Sequence, residues 1–539
     1  MIKMILNLQD KRLCENKEGV LFSLKWSGNR CSKILRMSHP SAYPVKTYRH
    51  KFIVDLFLVH FVLFTALFLS NSGSAQTVLT LENALNIASE NSPDIKRSSL
   101  NLERNRESLN AQNAALKSNF SLSVTPFDFS RDRQFNSLFS IWSTSETKQS
   151  LGTFRITQPI KWSDGTLSLV NRFSWQDAFS DFQGVRTKSF TNNFFLSFDQ
   201  PIFTYNRTKL DLQALELNLE DASLSYSIQK LALERNVTQG FYNVFQNQMS
   251  VQIANEEYIN QQSSYEIIKN KVDAGISAKE ELYQAELNLA TSKSNYQNQQ
   301  VLLENAKDQF KQLIGISLFD EISVIADVSH VSVEVELQKA IDHGISKRME
   351  LRQRKIDIEN SQFDLIRTSA TNEFQGNVSL SVGLFGDNEQ FNDIYSNPTN
   401  SQQIALSVEI PLWDWGEKKS RMKSVEAVVK ANELGLEDEK NNIIIAIRSV
   451  YRNLQNLENQ IEIARQNERN AQLTYEINRE RYENGDLTSM DLNLFQTQLS
   501  EKKIALVNAL INYRIELLNL KIQSLWDFEK NRSVAPDRL

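Results

Sequence analysis

The chain carries one pattern twice. Tyr265-Glu266-Ile267 leads to Gly275, Leu282 and Leu289, and Tyr475-Glu476-Ile477 leads to Gly485, Leu492 and Leu499, an offset of 210 residues throughout. Charges repeat with it: Lys269 with Arg479, Lys271 with Arg481, Asp273 with Glu483, Glu281 with Asp491. Pro201 and Pro411 share the offset. Upstream it becomes 256, where Leu81-Glu82-Asn83-Ala84-Leu85 matches Leu337-Gln338-Lys339-Ala340-Ile341 and Asp94-Ile95 matches Glu350-Leu351. Self-similarity at this range restricts the fold to a duplicated structural unit. The offsets differ by 46 residues, an insertion in the first copy over about 127–188. The expected fold is mainly α with β. Each unit runs helix, strand, strand, long helix, glycine turn, returning helix. Residues 76–330 form the first repeat, including the insertion 127–188, and residues 331–539 form the second.

The helices must be long. Residues 206–272 hold one glycine, Gly240, and no proline, and residues 417–483 hold only Gly435. No proline occurs between Pro201 and Pro398, which suits helix interiors, where proline removes a donor and clashes with the preceding turn. At 1.5 Å per residue each segment spans about 100 Å. Such a helix needs a partner along its length. Leu282, Ala285, Leu289, Tyr296, Leu303, Ala306, Phe310 and Leu313 keep a heptad register. So do Leu492, Phe495, Leu499, Leu506, Tyr513 and Leu520 in the second copy. Heptads predict supercoiled packing. Gly275 and Gly485 sit where they reverse, at the tips of two antiparallel hairpins.

Between the helices the period changes to two. Val378, Leu380, Val382 and Leu384 alternate with Ser379, Ser381 and Gly383, and Ile404, Leu406, Val408 and Ile410 share a face. Strands with one apolar face suit a membrane barrel as well as a soluble sheet. The insertion holds Phe154 and Ile156 on one face, then Gln158-Pro159-Ile160, an echo of Gln200-Pro201-Ile202. After a turn at Ser163-Asp164-Gly165 come Leu167, Leu169, Phe173 and Trp175. Two placements are open: two more strands in the same wall, or a hairpin standing beyond the outer ends of the others.

Residues 52–69 are apolar apart from Asp55 and His60, follow Lys46, Arg49 and Lys51, and lead to Gly73-Ser74-Ala75. This reads as a secretory signal peptide cleaved before Gln76 rather than a membrane anchor. Residues 1–45 show no periodicity and read as a spurious extension, with the true start near Met37. The chain's net charge of −5 includes +7 from residues 1–75, leaving −12 on the exported part. That excess of acid argues against nucleic acid as a partner.

With the duplication, the signal peptide and the tip Tyr482-Glu483-Asn484-Gly485-Asp486-Leu487-Thr488-Ser489-Met490-Asp491-Leu492, the chain resembles the TolC-like outer-membrane efflux proteins over essentially all of 77–530. The resemblance implies a homotrimer with one outer-membrane β-barrel continuous with an α-helical periplasmic tunnel. It also implies a passive export duct of a tripartite efflux or type I secretion system, gated at its periplasmic tip. The implied partners are a periplasmic adaptor, an inner-membrane pump and outer-membrane lipid. Physics agrees, because lipid tolerates no open sheet edge and one chain of four strands cannot close a barrel.

The resemblance also carries gate residues onto the tip. Tyr482 matches the family's tip tyrosine, Glu281 the acid this tyrosine contacts, and Asp491 the acid of a constricting ring. Three positions depart from the pattern: Leu487 stands for a basic residue, Leu494 for a second acid, and Val272 is the first-copy counterpart of Tyr482. The plain alternative is that Glu281 and Asp491 simply favour a helix N-terminus. Carboxylates converging at about 7 Å would repel by roughly 0.6 kcal/mol per pair in water and ~2.4 kcal/mol at an effective dielectric of 20.

His330 and His343, the only histidines after the leader, lie in the 315–345 connection, which the resemblance places in a belt around the tunnel. Their spacing is not that of a metal site. No phosphate loop and no nucleophile motif occurs, so neither an enzyme nor a cofactor is expected. Two other readings stay open. A periplasmic adaptor would carry a single hairpin, and a structural coiled-coil protein of the envelope would need no alternating strands.

Overall fold

The structure, a computed structural model, describes residues 77–535. The signal peptide, the start near Met37 and the reading of 1–75 as a leader lie outside these residues. The chain begins with strand β1 (Thr77–Leu79), helices α1 (Leu81–Asn91) and α2 (Pro93–Ala115), and strands β2 (Asn119–Asn136), β3 (Ile141–Ile160), β4 (Gly165–Ser180) and β5 (Val185–Ile202). The first hairpin follows as α3 (Arg207–Asp273) and α4 (Lys279–Ile314), then the short β6 (Ile322–Val324). The second pass runs α5 (Leu337–Lys347), α6 (Met349–Ser369), β7 (Gln375–Asn388), β8 (Thr399–Glu409), α7 (Glu417–Asn484) and α8 (Ser489–Ser524). A small ribbon of β9 (Trp526–Asp527) and β10 (Arg532–Ser533) ends it. The passes keep the sequence offsets: α1 and α5 begin 256 residues apart, as do α2 and α6, and α3 and α7 begin 210 apart. No helix among the described residues is long and apolar enough to cross a membrane.

The long helices are one continuous element each, 67 and 68 residues. Asn206 caps α3 by accepting the Lys209 N–H at 2.7 Å. Heptad packing lays α4 along α3 and α8 along α7. Gly240 lies where α4 crosses closest, since a β-carbon there would meet the Phe310 ring at 3.0 Å and Leu313 at 3.1 Å. Burying Phe241, Phe310, Val237 and Ile314 beside it, together with Ala84, Ala88 and Ile95 of the short helices, builds one mid-length core. Each such large side chain contributes about 1.5–3 kcal/mol. An equivalent core forms around Ile443, Ile447, Tyr513, Leu517 and Leu520 against α5.

All six long strands make one antiparallel sheet in the order β2-β3-β4-β5-β7-β8. The first pass therefore supplies four strands and the second two. The turn between β3 and β4 sits at the junction of sheet and helices. Gln200 Nε2 donates to the Ser163 carbonyl at 2.6 Å, and Asp164 accepts the Arg207 and Thr208 N–H groups at 3.3 and 3.0 Å. So β3 and β4 lie in the wall of the same sheet and start from the level of Pro201, not from beyond it.

The register gathers one apolar face across all six strands. Leu122 pairs with Phe154, Ile156 with Leu169, Leu169 with Leu196, Leu196 with Val382, and Leu380 with Ile404. The opposite face is mostly polar, through Ser121, Arg155, Arg172, Asn193 and Gln403. Strands β2 and β8 are the sheet's two edges.

Candidate functional site: the hairpin tips

Both tips use the same backbone device. Gly275 and Gly485 adopt φ of +75° and +92°, the left-handed conformation that glycine enters without cost. The Ile276 N–H donates to the Lys271 carbonyl at 2.8 Å, and the Asp486 N–H to the Arg481 carbonyl at 2.9 Å. These six-to-one bonds are the helix-ending motif with glycine at its turn. The repeated spacing is thus a repeated chain reversal.

The side chains then diverge. Tyr482 is 1 % exposed and packs with Ile268, Ala285, Tyr475, Leu492 and Leu499. Its hydroxyl donates to the Ser264 carbonyl of the first hairpin at 3.0 Å. Lys271, also from the first hairpin, donates through Nζ to the Tyr482 carbonyl at 2.7 Å and lies 5.3 Å from the centre of its ring. A cation at the last turn of α7 also suits the negative end of that helix. Burial pushes the Tyr482 hydroxyl up to about 12, with the Ser489 hydroxyl pulling it down and Glu281 pushing it up. The hydroxyl's hydrogen bond thus goes to the Ser264 carbonyl and not to Glu281.

Asp491 sits in the cap of α8. Its N–H donates to Thr488 Oγ1 at 3.2 Å, and Thr488 Oγ1 donates back to Asp491 Oδ2 at 2.7 Å. Glu281 holds the matching position of α4, whose cap residue Ala278 offers no side-chain oxygen. Leu487 and Val272 join the apolar cluster around Tyr482, whereas Leu494 is exposed. Leu487 stands where the family pattern has a basic residue, and Lys271 of the first hairpin brings a cation to the Tyr482 carbonyl. Sequence reasoning paired Lys271 with Arg481 but assigned neither a role. Ser264 and Ser489 left no signal, being small polar residues on helices.

Above the tip the two hairpins meet along a polar seam between α3 and α8. Gln261 donates to Asn493 Oδ1 at 2.7 Å, Asn260 to Gln496 Oε1 at 3.1 Å, and Gln246 to Asn508 Oδ1 at 2.8 Å. Lys503 pairs with Glu256 at 2.9 Å. Glu257 faces Ser500, and burial raises its pKa. The histidines lie apart from the tips. His330 stacks edge-on against Tyr513, and His343, within α5, contacts the Ser524 carbonyl at 2.9 Å and the Trp526 ring.

Comparison with known proteins matches this chain in two segments. The family model described as outer membrane efflux protein matches residues 84–316 and 367–522. The outer membrane protein TolC of Escherichia coli K12 is 22% identical over 374 residues, covering 66% of this chain and 73% of that protein. Among solved structures, the CmeC outer membrane channel of Campylobacter jejuni superposes with a TM-score of 0.64 at 14% identity, covering 85% of this chain and 87% of its own. The outer membrane protein VceC of Vibrio cholerae gives 0.61 at 13%, covering 82% and 94%.

Proposed function

This chain belongs to the outer membrane efflux protein family, and from that premise we propose that three copies build one export duct, a barrel in the outer membrane continuous with a helical tunnel in the periplasm. It is an outer-membrane channel protein, not an enzyme. The observation that calls for further copies is the unfinished sheet, and three is the number the family resemblance implies. Six strands with one continuous apolar face end in two unpaired edges, β2 and β8, and lipid tolerates neither. An even number of antiparallel strands leaves β2 and β8 running in opposite directions, so β8 of one chain can pair antiparallel with β2 of the next. Three chains then give a barrel of eighteen strands, six from each. The polar face lines the lumen. The halves 76–330 and 331–539 act as duplicated units, and the leader through residue 75 is removed on export.

Tyr482 closes the tip by binding the second hairpin to the first, with Glu281 and Asp491 as the acids near the mouth. Exposed apolar side chains at the tips, Ile276, Tyr283, Met490 and Leu494, suit neighbouring chains and a periplasmic adaptor that links the duct to an inner-membrane pump. Cysteine pairs placed along β2 and β8 test the assembly, because the only native cysteines, Cys14 and Cys31, precede the exported part. We expect disulfide-linked trimers in outer-membrane fractions for pairs in register. A scan that yields no intermolecular disulfide from any β2–β8 pair contradicts the closed barrel.

A further inference from the structure

The four strands of the first pass are long. Strands β2 to β5 have 16 to 20 residues, against 14 and 11 for β7 and β8. A tilted strand needs only about 9–11 residues to span a membrane. On β3, Lys148 stands twelve residues from Ile160 at the base of the apolar face. At about 3.3 Å per residue and a tilt of about 40°, Lys148 lies roughly 30 Å above that base. The lipid-facing apolar band of such barrels is about 25 Å tall. Lys148 is therefore at the level of the outer headgroups.

The outward face changes character at that level. A bulge between Thr125 and Asp128 on β2 keeps the outward register, so Phe129 pairs with Lys148, Lys148 with Asp177, and Asp177 with Lys188. The next outward row holds Arg131, Glu146, Phe179 and Arg186, and Arg133 lies above it. Two of the acids are engaged: Asp177 by Nε and Nη2 of Arg186 at 2.7 and 2.6 Å, Glu146 by Arg131 at 3.3 Å. Asp181, in the following turn, accepts the Thr144 N–H at 2.6 Å. Lys148 and Lys188 flank Asp177 and have no hydrogen-bonding or ion-pair partner among the described residues. Arg133 lies over the Trp142 ring, 5.2 Å from its centre. Aromatic rings border the rows: Phe173, Phe190 and Phe391 cluster below, and Phe135 packs on Trp142 above.

We propose that these outward basic rows on β2–β5 bind the phosphate groups of a phosphorylated glycolipid in the outer leaflet. The inference rests on the barrel reading, which sets the apolar face toward lipid. The acyl chains lie on the apolar band, the phosphates meet Lys148, Lys188 and Arg133, and the sugars reach the rings above. Ammonium and guanidinium groups bind phosphate by charge-assisted hydrogen bonds. Near a membrane surface each cation is worth about five-fold in affinity.

The test uses the purified full-length protein in detergent, titrated with bis-phosphorylated lipid A and followed by native mass spectrometry. Lys148→Ser with Lys188→Ser should weaken binding by about 25-fold, and Lys148→Glu with Lys188→Glu should abolish it. Arg155→Ser with Arg172→Ser, on the opposite face, should leave it unchanged. Dephosphorylated lipid A, phosphatidylglycerol and inorganic phosphate should bind the native protein far more weakly. Equal binding by the double serine variant, equal loss in the Arg155 and Arg172 variant, or equal uptake of phosphatidylglycerol or inorganic phosphate overturns the proposal. Outer-membrane location and heat-modifiable oligomers of the native protein report the barrel reading separately.

Discussion

The two hairpin tips have the same backbone and unequal side chains. The first ends in Val272, Gly275 and an Ala278 that caps nothing. The second ends in Tyr482, Gly485 and a Thr488 that caps α8 through Asp491. Across the gap each hairpin donates one hydrogen bond to the other. Tyr482 reaches the Ser264 carbonyl, and its own carbonyl is held by Lys271, both residues of the first hairpin. Duplication thus supplies a symmetric frame, and substitution within it gives the two tips unequal side chains.

The comparison breaks most readily at Tyr482. Tyr482→Ala removes a fully buried ring and should loosen the tip by about 3–5 kcal/mol, whereas the half-buried Val272→Ala should cost only about 1 kcal/mol. Hydrogen exchange over residues 475–495 and 262–285 reads both, and equal protection losses would contradict the asymmetry. Lys271→Met takes away a charged donor and should cost about 1.5–3 kcal/mol. Its repeat partner serves as the control: Arg481→Met loses a 3.3 Å contact to Asn478 within the same helix and should change exchange little.

Smaller effects sharpen the picture. Tyr482→Phe keeps the ring and deletes the hydroxyl with its bond to Ser264, worth about 1 kcal/mol. It should also weaken a pH response. The phenol is raised in the folded tip, so its contribution is whole below about pH 10, the ordinary tyrosine value. It is lost as the pH climbs toward about 12. Exchange protection at the tip should fall more steeply across that window in the native protein than in Tyr482→Phe, where Tyr475, also raised by burial in the same cluster, still titrates. Last, Thr488→Ala should cost about 1 kcal/mol, while Ala278→Asp, which adds the missing cap, should gain a similar amount.

Much of this frame was legible in the sequence, for particular reasons. Gly275 and Gly485 were readable because only glycine enters their φ freely, and the long helices because they lack proline and keep heptads. The strand faces followed from alternation. Alternation does not choose neighbours, however, so it left two places for the insertion. The bond from Gln200 to the turn at 161–164, and those from the Arg207 and Thr208 N–H groups to Asp164 within it, are long-range and invisible to local pattern. At the tip, Tyr482 stood out through its position, but its partners lie 211 and 218 residues away. The contact expected with Glu281 goes instead to a backbone carbonyl, which any residue can supply. The cap that occupies Asp491 was written in Thr488, three residues earlier, as the standard helix-start spacing.

Single-channel recording in planar bilayers tests the gated duct most directly. The account predicts discrete, low-conductance channels from the native protein and a clear rise in conductance for Tyr482→Ala, with Val272→Ala close to native. Absence of any discrete channel, or equal conductance in native protein and Tyr482→Ala, would contradict it.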